Sequence, residues 1–182
     1  FIQHNIAIAD VISGQEDFYT ALTTDNPNHV ATIKHIVADG DYVAVHWHYS
    51  DTPENEYLGS ARVNLYKLAG NQITEYWDIV MNPNETTASG NSVFSDLYVY
   101  ENTQPNNDVA TEESNKDMVT NFYTDLFTNG NIDLIDELVD PNYLQHNFWV
   151  PNGSEALRGF VSGGVNPVNI TLSLSEDDMV WT

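Results

Sequence analysis

Apolar and polar residues alternate with a period of two along four successive stretches, which is the pattern of half-buried strands. In residues 29–37, Val30, Thr32, Lys34 and Ile36 oppose Ala31, Ile33, His35 and Val37. In residues 42–49, Val43, Val45, Trp47 and Tyr49 take one face, and Ala44, His46 and His48 the other. Residues 60–68 and 72–80 complete the set. Asp39-Gly40-Asp41 and Ala69-Gly70-Asn71 supply tight turns, so the four stretches predict an antiparallel meander. Ahead of it, residues 1–5 suit a short extended segment. Residues 15–22 place Phe18, Ala21 and Leu22 on one helical face, broken by Asp25-Asn26-Pro27-Asn28. A polar loop follows from 81 to 93, and residues 94–100 read as a short strand or an extension.

Beyond a polar linker at 101–113 the period changes. Ser114 followed by Asp117 resembles a capping box. Met118, Val119, Phe122, Tyr123, Leu126 and Phe127 then form an apolar stripe that Asn129-Gly130 ends. Residues 133–139 predict a shorter helix stopped at Pro141, residues 154–161 another, and 168–174 a further alternating strand.

One segment occurs twice. Phe1-Ile2-Gln3-His4-Asn5 returns as Tyr143-Leu144-Gln145-His146-Asn147, an offset of 143 − 1 = 142 residues. Ser13-Gly14-Gln15-Glu16 and Ala38-Asp39-Gly40-Asp41-Tyr42-Val43 follow the first copy. Asn152-Gly153-Ser154-Glu155 and Ser175-Glu176-Asp177-Asp178-Met179-Val180 follow the second. A spacing of about one domain predicts an out-of-phase tandem repeat. The first copy, residues 1–100, lacks opening helices. The second, residues 114–182, supplies such helices and stops within its sheet. Each alone leaves an apolar face uncovered. The helices at 114–139 are therefore expected to complete the first sheet, within one chain or by swapping in a homodimer or larger oligomer.

Composition narrows the functional classes. The chain carries 27 acidic against 5 basic residues, a net charge of −22. Such a surface repels nucleic acid and anionic membranes, so neither is an expected partner. The acids are dispersed, as in a solvated surface suited to a saline habitat, rather than clustered for cation binding. No apolar run has transmembrane length. The chain shows neither a leader pattern nor an initiator Met, consistent with a missing upstream segment, and its compartment stays open. Cysteine is absent, which excludes disulfides and thiolate metal sites. No phosphate-cradling Gly-rich loop and no Ser or Cys nucleophile motif is present. Asp39-Gly40-Asp41 and Glu176-Asp177-Asp178 lack calcium-loop spacing and read as turns.

Asp78 is the first candidate for chemistry. Tyr76, Asp78 and Val80 share one strand face, and Glu75, Trp77 and Ile79 the other. A carboxylate in an apolar cavity can take a proton from a carbon beside a carbonyl; a strand-end Asp can instead face solvent or bind backbone donors. His46 and His48, two apart on one face, suit pocket lining, and a metal would need a third converging ligand. Gln3 and His4 suit either a pocket mouth or a structural anchor. Arg62, Asn64 and Tyr66 share a face, with Arg62 open to an anionic substrate or to an ion pair.

Four motifs carry a family resemblance: Gln3-His4-Asn5, Asp39-Gly40-Asp41-Tyr42-Val43-Ala44-Val45-His46, Glu75-Tyr76-Trp77-Asp78 and Gly90-Asn91-Ser92-Val93-Phe94. They resemble those of the SnoaL-like polyketide cyclases, in the branch with predicted aldol-condensation activity, within the nuclear-transport-factor-2-like superfamily. The resemblance implies an α+β cone, a curved antiparallel sheet covered by helices, and a cofactor-free cyclase or isomerase without a metal. It implies Asp78 as acid/base; beside it, His46, His48 or His4 would stabilise an oxyanion. His48, Asn64, Tyr76, Trp77, Gln3 and Arg62 would then line the site of a small apolar or carbonyl-bearing ligand. The chain departs from the pattern at Ile6 and Phe148 (usually Pro), Tyr76 (usually His), Met81 (commonly Gln) and Asn64 (commonly an acid), which thins the polar lining. A non-catalytic binding or assembly module is the alternative.

Overall fold

The computed structural model describes residues 1–83, 86–98 and 108–182, and its architecture is α+β. The chain divides into two compact units, Phe1–Glu85 and Thr86–Thr182.

The first unit is a five-stranded sheet with one helix. Its elements are β1 (Ile2–Gln3), α1 (Ile12–Asp25), β2 (Val30–Asp39), β3 (Tyr42–Ser50), β4 (Ser60–Ala69) and β5 (Gln72–Met81). The spatial order is β1-β5-β4-β3-β2, with the four long strands antiparallel and β1 parallel to β5. The meander read from the alternation is therefore present, and its turns hold Gly40, Gly70 and Asn71 at φ of 56°, 57° and 64°. The helix is longer at both ends than the apolar stripe suggests, since its first turn is polar apart from Ile12.

Register decides which residues share a face. Val45, Asn64 and Asp78 lie opposite one another across β3, β4 and β5; so do Trp47, Arg62 and Val80, one step along. His46 is aligned with Val63 and Ile79, on the other face. A bulge at Lys34 lets Ile33 pair with Trp47 and His35 with His46, so the two residues flanking Lys34 face opposite sides.

The second unit contains α2 (Val109–Tyr123), a π-helical turn (Thr124–Thr128), α3 (Leu134–Leu138), α4 (Ser154–Ser162) and a hairpin of β6 (Leu174–Glu176) and β7 (Met179–Trp181). Leu126, Ile135 and Val161 are almost wholly buried at its core, with Phe122, Phe127, Ile132, Val139, Leu157 and Val165 packed around them. Two expectations are corrected and a third is narrowed. The helix predicted from Ser114 starts at Val109, because the Asp108 carboxylate accepts from the Thr111 amide at 3.1 Å and from its hydroxyl at 2.8 Å. Of the strand predicted at 168–174, only Leu174 is paired. Residues 94–98 form no strand, and 99–107, with most of the expected linker, fall outside the described residues. The 86–98 segment belongs to this second unit: the Asn91 amide donates to the Gln145 carbonyl at 2.9 Å, and the His146 Nδ1–H to the Ser92 carbonyl at 2.6 Å.

The repeated segment has the same local wiring in both places. The Asn5 and Asn147 amides donate to the Gln3 and Gln145 side-chain carbonyls at 2.8 and 2.9 Å. The Ala7 and Trp149 amides donate to Asn5 and Asn147 at 2.8 and 2.9 Å. The Gln3 amide donates to Asp10, and the Gln145 amide to Asn152, at 2.6 and 2.8 Å. A helix opens two residues after each of those acceptors, at Ile12 and at Ser154.

Candidate functional site

The face of the first sheet that carries Asp78 is wired by side chains from β1, α1, β3, β4 and β5. Alternation along the first segment sends Gln3 and Asn5 to this side. The Asn5 carboxamide donates to Asp78 Oδ1 at 2.7 Å, leaving Oδ2 as the oxygen it does not hold. Asn5 is itself fixed by Gln3, whose side-chain amide reaches Gln15 at the start of α1. Next to Asp78, the Trp47 indole donates to Asn64, the Asn64 carboxamide to the Tyr76 hydroxyl, and the Tyr76 and Tyr19 hydroxyls lie 3.1 Å apart. The Tyr66 and Tyr76 rings pack at 5.4 Å between centroids. Burial, then Tyr19, then Asp78 push the Tyr66 phenol up to about 12. Burial first, then Tyr19 and Asp78, push Tyr76 upward as well. Both phenols are thus held as neutral O–H groups, which are hydrogen-bond donors. Tyr76 and Asn64 are 2% exposed.

Arg62 lies on the same face. Its guanidinium carbon sits 5.4 Å from the Trp47 ring centre and 5.5 Å from that of Tyr49, and its Nε donates to the Ser60 hydroxyl at 3.1 Å. Among the described residues no carboxylate comes within ion-pair distance of it, so the ion pair held open from the sequence is not formed there.

The histidines go elsewhere. His46 and His48 point to the opposite face from Asp78, because the cross-strand register aligns His46 with Val63 and Ile79. His46 Nδ1 lies 3.2 Å from His35 Nδ1, with the rings stacked at 5.4 Å. Burial, followed by the neighbouring His35 and Lys34, lowers its pKa from 6.5 to about 4, so it stays neutral. His48 is fully buried and donates from Nε2 to the Leu58 carbonyl at 2.7 Å. His4, between Gln3 and Asn5, also turns to that opposite side. It stacks on Trp77 with ring centres 4.4 Å apart and 2° between planes, and its Nε2 meets Glu75 at 3.1 Å. The Lys67 ammonium holds the same carboxylate at 3.1 Å; hydrogen bonds from His4 and then Lys67 lower the Glu75 pKa. The expectation that His46, His48, His4 and Trp77 would converge with Asp78 is therefore corrected. Gln3, Asn64, Tyr76 and Arg62 do share its side.

Sequence reasoning missed Asn5, although it belongs to the repeated segment, and Tyr19, which has no marker beyond its place in the helix predicted at 15–22. Asn5 was findable: the i, i+2 alternation that puts Gln3 on one face puts Asn5 on it too. Among the described residues no group of three or more His, Asp or Glu side chains converges to hold a metal ion. In the second unit an open cleft of about 420 Å³ is lined by Thr120, Asn121, Thr124 and residues 168–173, without a titratable side chain. No described helix is long and apolar enough to cross a membrane.

Comparison with known family models and with curated proteins finds no match. Three solved structures are similar in part. A loop-truncation variant of IdmH is 24% identical, with 38% of this chain and 55% of that one covered and a TM-score of 0.33. A protein of Bacillus cereus ATCC 10987 named as a candidate polyketide cyclase is 18% identical, with 45% and 56% covered and a TM-score of 0.39. TsrD from Streptomyces laurentii is 13% identical, with 44% and 66% covered and a TM-score of 0.33. The chain thus spans 55% to 66% of the length of these structures.

Proposed function

We propose that the first unit is a SnoaL-like module that handles a small carbonyl compound, with Asp78 as general base on the carbon beside the carbonyl. The observation that carries this reading is the placement of a carboxylate, fixed through one oxygen by Asn5, on the same sheet face as the Tyr19, Tyr66 and Tyr76 hydroxyls. Asp78 Oδ2 takes the proton; the C–H electron pair moves into the carbonyl, and the resulting enolate oxygen accepts from a tyrosine hydroxyl. The enolate carbon then either recovers the proton from Asp78 or attacks a second carbonyl of the same molecule, closing a ring as the new alkoxide takes that proton from Asp78. Tyr19 and Tyr66 are the donors in this scheme, replacing the histidines expected from the sequence. Neither a metal nor a cofactor is required by it.

The test is α-proton exchange of an aryl alkyl ketone in D2O, followed by proton NMR. Wild type is expected to accelerate exchange, and Asp78→Asn to lose about two to four orders of magnitude of that acceleration, the usual range for a general base. Equal rates for the two proteins, with ligand binding retained, would sink the catalytic reading. A binding module on the same face is the second reading. It is favoured by the Tyr76 hydroxyl, which is buried and already shared between Asn64 and Tyr19.

We also propose that the chain holds two partial copies of one module. The identical wiring of Gln3–Asn5–Asp10 and Gln145–Asn147–Asn152 supports this. In this reading the helices at 114–139 complete the first sheet, within the chain or in a partner copy.

A further inference from the structure

The whole chain has five basic residues, Lys34, Arg62, Lys67, Lys116 and Arg158, against 27 acids. Four of the five meet a carboxylate. Lys34 reaches Glu56 at 2.5 Å, Lys67 reaches Glu75 at 3.1 Å, Lys116 reaches Glu113 at 2.8 Å and Arg158 reaches Asp136 at 2.6 Å. Arg62 is the exception among the described residues, although carboxylates outnumber bases more than fivefold. Its guanidinium lies over Trp47 and Tyr49, and among the described residues its hydrogen bond runs from Nε to the hydroxyl of the buried Ser60. A guanidinium laid on aromatic rings is fixed in direction, and its terminal nitrogens present the planar fork that matches a carboxylate. Arg62 and Asp78 occupy adjacent positions on neighbouring strands of one face, since Arg62 pairs with Val80 and Asn64 with Asp78. Such diagonal neighbours stand about 7–8 Å apart, within the span of one small molecule. Asp78 does not neutralise Arg62; its Oδ1 is taken by Asn5.

We infer that Arg62 is the anion-binding residue of this face, and that the ligand presented to Asp78 carries a carboxylate at its other end. The inference rests on the reading of this face as the ligand site. A monoanion fits better than a dianionic phosphate, because one guanidinium compensates one charge and the rest of a chain with net charge −22 repels the remainder. Arg62 thereby sets specificity: it holds the carboxylate end while the ketone end meets Asp78 and the tyrosines.

The probe pair is δ-benzoylvalerate and its methyl ester, identical in ketone and chain but differing in charge. Titration calorimetry at physiological salt is expected to show the acid binding wild type at least about tenfold tighter than the ester, as for a charge-assisted hydrogen bond. In Arg62→Gln the preference disappears while ester affinity holds; Arg62→Lys keeps part of it, having the charge without the fork. Equal binding of acid and ester by wild type, a preference that survives in Arg62→Gln, or binding of neither overturns the inference. If Arg62→Gln fails to fold, the wild-type comparison and Arg62→Lys still decide. Deuterium exchange beside the ketone is read in parallel. An Arg62-dependent preference without exchange removes the role of Asp78 and leaves that of Arg62. Exchange of both probes without a preference does the reverse.

Discussion

Gln3, His4 and Asn5 are consecutive, yet they serve opposite sides of one sheet. Extended backbone sends Gln3 and Asn5 towards Asp78, and it sends His4 onto Trp77 and Glu75. The same alternation separates His46 from Asp78. Its consequence for His46 is electrostatic: burial beside His35 and Lys34 lowers its pKa from 6.5 to about 4. Between those values the unfolded chain binds a proton that the folded chain does not, so stability is fully present above about pH 6.5 and falls as pH drops towards 4. His46→Gln is expected to flatten this dependence. Urea unfolding of both proteins at pH 7.5 and 4.5 measures it, and an equal loss in the variant would show that other groups carry the effect.

At the scale of elements, the bulge at Lys34 and the cap at Asp108 show how single residues redirect a segment. Strict alternation would place His35 with Ile33; the extra residue turns His35 to the side of His46 instead. Asp108 starts α2 more than two turns ahead of the apolar stripe, because a cap satisfies amides that packing does not reach. The helices of the second unit depend on few buried contacts. Leu126 and Ile135 are fully buried, and Val161 joins them from α4. Leu126→Ala should therefore cost about 2–5 kcal/mol, the range for a buried Leu that leaves a cavity. Denaturant unfolding of the variant checks this, and a loss below about 1 kcal/mol would mean that this core closes over the gap.

At the scale of the whole molecule, net charge governs association. Two chains at −22 each repel, and salt screens that repulsion over roughly 8–10 Å at ordinary ionic strengths. If copies complete one another, the dimer is expected to form more readily as salt rises. Light scattering would then move from the 20.4 kDa of one chain towards twice that value between low and high salt. A mass of one chain at both salts would remove pairing between chains and leave completion within a chain.

The sequence by itself determined the four-stranded meander, its two tight turns and the recurrence of Gln-His-Asn. Strand periodicity and αL turn residues are local properties, readable wherever Val43, Val45 and Trp47 alternate with Ala44, His46 and His48. It also placed Tyr76 and Asp78 on one face of a single strand, for the same reason. What only the tertiary structure decided is which face of one strand meets which face of the next. Register across β3, β4 and β5 depends on bulges and pairings far apart in sequence. That register brought Asn64 and Arg62 to the side of Asp78 and carried His46 and His48 to the other, while the docking of the first segment and of α1 added Asn5 and Tyr19 to that side and put His4 on the other.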